Sequence, residues 1–129
     1  MKYLCLAYYD APKLNALSPD EMKALESQCP QHDEQLRASG KVLMQGSLGM
    51  PESGASIRPR GGKPSTTDGP FIETHEQIGG MFILEADSLA EALAIAAKHP
   101  AAHVGEKVGW GIEVRPIEFL EEYAVKSKS

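Results

Sequence analysis

Residues 67–80 (TDGPFIETHEQIGG) hold the side chains of this chain that are best suited to chemistry. An Asp before Gly ordinarily accepts a hydrogen bond from the backbone N–H two residues later, but here that residue is Pro70, which has no N–H. The carboxylate of Asp68 must therefore find another partner or stay in solvent. We predict that Asp68 points into a cleft as a catalytic carboxylate, and a solvated turn residue is the alternative.

A histidine could complete an acid–base pair with such a carboxylate. His32 falls on the apolar stripe of the first predicted helix. Carboxyl and imidazole groups can both titrate near neutrality when they are partly desolvated beside each other. We therefore predict proton transfer by Asp68 or Asp10 together with His32. The alternative for His32 is an ordinary core histidine, because a lone His on an apolar face is common.

Three further side chains are candidates for ligand binding. Arg58 or Arg115 could hold an anionic group, and Glu73 lies within residues 67–80. Each has a structural alternative. Arg58 belongs to a basic hairpin tip, Arg115 lies two residues from Glu113 and can pair with it on one face of a strand, and Glu73 can be solvated.

Several classes of site are not expected. We predict no metal ion, because Pro100 ends the helix that would align His99 with His103, and no cofactor. The two cysteines are predicted to be buried thiols. A net charge of −5 and a pI of 5.3 argue against nucleic acid as a partner. No stretch approaches the ~20 apolar residues that cross a membrane, and the lack of a secretory signal predicts a cytoplasmic location.

The elements that must position these residues follow from apolar periodicity and capping signals. They are, in order, strand 2–9, helix 19–39 with a kink or restart at Pro30, strand 41–48, a hairpin with arms 55–60 and 63–67 around two glycines, strand 79–85, helix 89–99 and strand 112–117. This order is the split β-α-β arrangement of ferredoxin-like domains with an inserted hairpin. We predict an α+β fold, one domain over residues 1–124, and a disordered tail over 125–129.

The central strands are apolar on both faces, which has a consequence for assembly. Two helices cover one face of the predicted sheet. The other face carries Tyr3 or Tyr8 and Phe82 or Leu84, and a monomer rarely leaves an apolar patch of more than a few hundred Å² in water. We therefore predict a homodimer.

Four segments carry a resemblance to a known family. Residues 67–80, the opening MKYLCLAYYD, the helix end QLRASG and the closing GIEVRPIE resemble the DGPF proteins, a branch of the YCII-related family. The resemblance implies a dimeric α/β barrel whose two sheets meet face to face, with a cleft beside them. It also implies an active site that joins an Asp at the end of the first strand, here Asp10, to a helix histidine. The position of that histidine falls nearest Cys29 in this chain.

Two functions follow as hypotheses. The first is binding of a small organic molecule in a cleft near the dimer interface, with cofactor-free acid–base chemistry of the lyase or isomerase type. The alternative is a non-catalytic binding or regulatory accessory protein. The catalytic hypothesis predicts that Asp68 or Asp10 is buried and faces a pocket, whereas the accessory hypothesis predicts that both are exposed and that no pocket is present.

Overall fold

A computed structural model describes residues 1–126, so residues 127–129 of the predicted disordered tail lie outside the described part. The strands are β1 (Lys2–Asp10), β2 (Val42–Ser47), β3 (Ala55–Arg60), β4 (Lys63–Asp68), β5 (Glu76–Glu85) and β6 (Gly111–Pro116). The α-helices are α1 (Ala11–Asn15), α2 (Pro19–Ser27), α3 (Pro30–Ala38) and α4 (Leu89–Ala96), and short 3-10 turns cover Pro51–Ser53, Pro100–Ala102 and Glu106–Val108.

The main sheet has four strands in the order β2-β5-β1-β6, and every neighbouring pair is antiparallel. With its few helices, the structure is α+β and is consistent with the predicted ferredoxin-like fold. The inserted hairpin is confirmed as a separate two-stranded sheet, in which Ala55 pairs with Asp68 and Arg60 pairs with Lys63. Gly61 and Gly62 both take positive φ, as a two-residue hairpin turn requires.

Capping explains where the helices begin. Ser18 accepts a hydrogen bond from the Glu21 N–H at 3.1 Å, and the Ser18 N–H donates to the Glu21 carboxylate at 2.9 Å. The predicted restart at Pro30 is confirmed, because α2 ends at Ser27 and Pro30 opens α3. A proline at the first helical position loses no internal hydrogen bond. The sequence prediction missed α1, whose five residues are too few to show a helical period.

The hydrophobic core lies between one face of the main sheet and the helices α3 and α4. Its residues are Tyr3, Cys5, Leu36, Phe82, Leu84, Ala86, Ala92, Ile95 and Ala96. Tyr3 and Cys5 pair with Leu84 and Phe82 across β1 and β5, so these four side chains share the covered face. Burial raises the pKa of the Cys5 thiol to about 12, which confirms it as a buried thiol.

The face of the main sheet opposite the core also carries apolar side chains. Leu4 pairs with Ile83 and Leu6 with Met81, so these side chains alternate with the core residues. We call these four residues the open face; Leu4, Leu6 and Met81 are partly exposed, and Ile83 is 8% exposed. Tyr8 also belongs to this side, since its hydroxyl donates to the Glu113 carboxylate at 2.9 Å. Within residues 1–126, no helix is long and apolar enough to span a membrane.

Candidate functional site

A cavity of about 410 Å³ lies where the sheet meets α3 and the turn Pro100–Ala102. We call it the main cavity. Its volume falls in the range of small-molecule sites, which usually combine apolar walls with a few polar groups. The apolar walls come from residues on several parts of the chain, namely Leu14, Leu48, Met50 and Trp110.

Small residues on the strands make room for the main cavity. Gly79 and Gly80 of β5 line it. A Cβ atom at Gly79 would lie 3.0 Å from the ring of Tyr9, so a larger residue there would push against that ring. Gln45 and Ser47 of β2 also line the cavity, and they share one face of their strand because side chains alternate along it.

Cys29, Asp33 and His99 form what we call the polar end of the main cavity. Cys29 and Asp33 lie one helical turn apart, at and after the start of α3. His99 precedes the turn Pro100–Ala102 and is held in two ways. Its Nδ1 atom accepts a hydrogen bond from the Ala101 N–H at 3.0 Å, and its ring stacks on Phe82 at 5.1 Å between centroids.

The hydrogen bond to His99 fixes the position of its proton. Burial lowers the pKa of His99 from its usual 6.5, against a smaller upward effect of Asp33. The ring is therefore neutral at pH 7. Because Nδ1 is an acceptor, the single ring proton lies on Nε2, and the ring can donate from that atom. The Nε2 atom has no hydrogen-bond partner within the described part of the chain.

Two other polar groups beside the cavity stay protonated. The pKa of Cys29 is raised by burial, with smaller contributions from Asp33 and Glu26, and its thiol donates to the Leu25 carbonyl at 3.6 Å. The pKa of Tyr9 is raised by burial and by Glu52. Cys29 therefore enters the cavity as a neutral thiol and not as a nucleophilic thiolate.

The family model described as the YCII-related domain matches residues 1–118. This chain belongs to the YCII-related family. A curated relative from Rhizobium meliloti (strain 1021), named as an uncharacterized protein, is 29% identical over 117 residues, which is 91% of this chain and 92% of the relative. The family match over residues 1–118 includes every residue that lines the main cavity of this YCII-related protein.

The structure places the three predicted catalytic residues apart from the main cavity. Asp10 is half-buried and caps α1, where its carboxylate accepts from the Lys13 N–H at 3.0 Å. Asp68 is exposed at the base of the hairpin, and its carboxylate makes no hydrogen bond with residues 1–126. The exposure of Asp68 matches the solvated-turn alternative for this residue. The catalytic assignment of Asp68 and Asp10 stays a prediction.

His32, the third predicted catalytic residue, faces His103 and not the main cavity. Its ring stacks on His103 with 4.5 Å between centroids, and its Nδ1 atom is buried without a partner among the described residues. His32 lines neither the main cavity nor a second cavity between α2 and residues 103–108. No hydrogen bond within residues 1–126 joins it to Asp68 or Asp10.

The three predicted ligand-binding residues also lie outside the main cavity. The Arg58 guanidinium lies over the Phe71 ring at 3.8 Å. Arg115 forms the predicted same-strand ion pair with Glu113. Glu73 is exposed. Arg58 and Arg115 therefore have protein partners, and their role in ligand binding stays a prediction.

A second cavity, also about 410 Å³, lies between α2 and residues 103–108. Two of its polar groups are already occupied, since Glu21 serves the cap of α2 and the His103 Nε2 atom is within 2.5 Å of the Ala97 carbonyl, and its charged residues Glu106 and Lys107 are exposed. The main cavity is the better candidate because the Nε2–H of His99 is free of protein partners in residues 1–126.

Sequence reasoning missed Asp33 and weighed His99 only as a metal ligand. One signal was available for Asp33, because it follows Cys29 by four residues and so lies on the same face of the helix. No comparable signal marks His99. Its place in the site depends on the fold, which brings the end of α4 next to α3.

Proposed function

We propose that this YCII-related protein binds a small organic molecule in the main cavity. The single observation that carries the proposal is the composition of that cavity, in which a carboxylate and a neutral imidazole with a free N–H line a space of about 410 Å³ whose remaining walls are mostly apolar. Such a pairing of apolar walls with a few polar groups is typical of ligand sites.

The same groups support a catalytic version of the proposal. The Asp33 carboxylate would accept a proton from a carbon beside a carbonyl group, and the Nε2–H of His99 would donate to the carbonyl oxygen as negative charge develops there. Neutral hydrogen-bond donors at a developing oxyanion contribute strongly in a site with little water. This is cofactor-free proton transfer of the lyase or isomerase type.

The accessory alternative is supported in part. It predicts that Asp68 and Asp10 are exposed; Asp68 is exposed, whereas Asp10 is half-buried where it caps α1. It also predicts that no pocket exists, and the main cavity favours the binding hypothesis on this point. A non-catalytic protein that binds a ligand at the polar end fits both observations. A cytoplasmic location stays a prediction, supported by two free cysteines.

A thermal-shift screen tests ligand binding. We expect at least one of a set of small aromatic amides, phenols, amines and carboxylates to raise the melting temperature with a saturable dependence on concentration, because a ligand that binds only the native state stabilises it. A screen in which no compound gives a saturable shift at millimolar concentration would contradict the proposal.

We also propose that the protein forms a homodimer through the open face, as a dimeric α/β barrel. The open face presents Leu4, Leu6 and Met81 opposite a core that the helices already cover. Beyond β6, the described part of the tail exposes Phe119 and Tyr123, each at 78%, which adds apolar surface for a second copy to bury.

The homodimer predicts a species of twice the 13.9 kDa chain mass in sedimentation at micromolar concentration. Leu6→Lys would place a charge in the interface and is expected to shift the species to the monomer mass while the fold persists. Leu93→Lys is the matched control, because Leu93 is 50% exposed on α4, away from the open face. A wild-type monomer, or equal dissociation by both variants, would contradict this interface.

A further inference from the structure

We infer, on the basis of the proposed function, that the main cavity selects ligands in which a carbonyl-type oxygen lies beside an N–H or O–H group, and that it rejects the anionic counterparts of those ligands. This deepens the proposed function by naming the class of ligand.

The charges around the main cavity carry the first part of the inference. Among its described lining residues Asp33 is the one charged side chain, and no Lys or Arg lines it. Carboxylates also act on its polar groups from outside, Glu26 on Cys29 and Glu52 on Tyr9. An anionic ligand would therefore lose its hydration and meet only like charge, which is unfavourable on both counts.

The hydrogen-bonding groups carry the second part. His99 donates from Nε2, because its Nδ1 atom already accepts the Ala101 N–H at 3.0 Å, and the Asp33 carboxylate can only accept. A ligand that satisfies both groups needs one acceptor and one donor at its polar end. A ligand without the acceptor would leave the Nε2–H unpaired, which costs free energy in a partly buried site.

Three compounds of nearly equal size and shape separate the alternatives: benzamide, which is neutral with an acceptor and a donor, benzoate, which is anionic, and benzamidine, which is cationic and has no acceptor. Titration of the wild-type protein, followed by NMR at pH 7.5, gives the three dissociation constants. We expect benzamide to bind at least about tenfold more tightly than benzoate, with benzamidine weaker than benzamide.

Asp33→Asn tests the origin of the selectivity, and Glu34→Gln is its control. Glu34 is the next residue on α3, is exposed and does not line the main cavity, so its variant removes the same charge elsewhere. We expect Asp33→Asn to lower the benzamide-to-benzoate preference at least about threefold and Glu34→Gln to leave it unchanged.

The outcomes distinguish this inference from the proposed function. If benzoate binds as tightly as benzamide, or benzamidine binds most tightly, a ligand site exists but the inference about its class is wrong. Equal loss of the preference in both variants would show that general charge, and not Asp33, is responsible. If none of the three compounds binds while the thermal-shift screen finds another ligand, the inference is wrong and the proposed function stands; if neither experiment finds a ligand, both fail.

Discussion

Replacing Phe82 by Ala is expected to remove about 3–5 kcal/mol from the free energy of unfolding. Phe82 is 1% exposed and lies at the centre of the core, on the face of β5 that packs against the helices. Its removal deletes buried apolar surface and leaves a cavity beside Cys5. The same ring also stacks on His99, so we expect the substitution to affect the polar end of the main cavity as well as the core.

Urea unfolding measures this loss, and Phe82→Leu is the control because it keeps most of the volume and removes the stacked ring. We expect Phe82→Leu to cost less than half as much. A loss below about 1 kcal/mol for Phe82→Ala would contradict the core described here.

The pH dependence of the same unfolding reports on His99. Its pKa is lowered in the folded protein, so below pH 6.5 the unfolded chain binds more protons than the native state. The contribution of His99 to stability is therefore present above pH 6.5 and is lost as the pH falls through the lowered pKa. We expect this loss to be smaller in the Phe82→Ala variant, because water reaching the ring brings the pKa back towards 6.5.

Replacing Ser47 by Phe is expected to weaken benzamide binding at least about tenfold, or ~1.4 kcal/mol. Ser47 lies on the same face of β2 as Gln45, and both line the main cavity. A phenyl ring at this position would occupy space that the ligand needs. Ser47 is exposed, so the free energy of unfolding should change by no more than about 0.5 kcal/mol.

Ser47→Ala is the control for this substitution, since it removes the hydroxyl without adding volume. We expect it to bind benzamide within about twofold of the wild type. If Ser47→Phe binds benzamide normally while remaining folded, the ligand lies elsewhere and the assignment of the main cavity is wrong.

Local signals in the sequence were sufficient for most of the elements. The hairpin arms were predicted almost to the residue because Gly61-Gly62 permits the required turn and β-branched and polar residues flank it. The capping residues Ser18 and Ser88 located the starts of α2 and α4, since each accepts a hydrogen bond from the N–H three residues later. These signals act within a few residues and need no tertiary structure.

The polar end of the main cavity could not be predicted in the same way. Asp33 and His99 are far apart in sequence, and only the packing of α3 against the end of α4 brings them together. Residues 67–80 were predicted to hold a catalytic carboxylate because Pro70 lacks the N–H from which Asp68 would ordinarily accept a hydrogen bond. In the structure this leaves the carboxylate in solvent, because β3 and β4 form a separate sheet that does not pair with the main one.

The most direct test of the account is a titration of ¹⁵N-labelled wild-type protein with benzamide, followed through backbone amide chemical shifts. The account predicts saturable shifts at Ser47, Gly80 and Ala101, whose N–H groups or side chains border the main cavity, with Ala101 the most sensitive because its N–H donates to His99. Shifts confined to residues 67–73 of the hairpin region, or no saturable shift at any concentration, would contradict it.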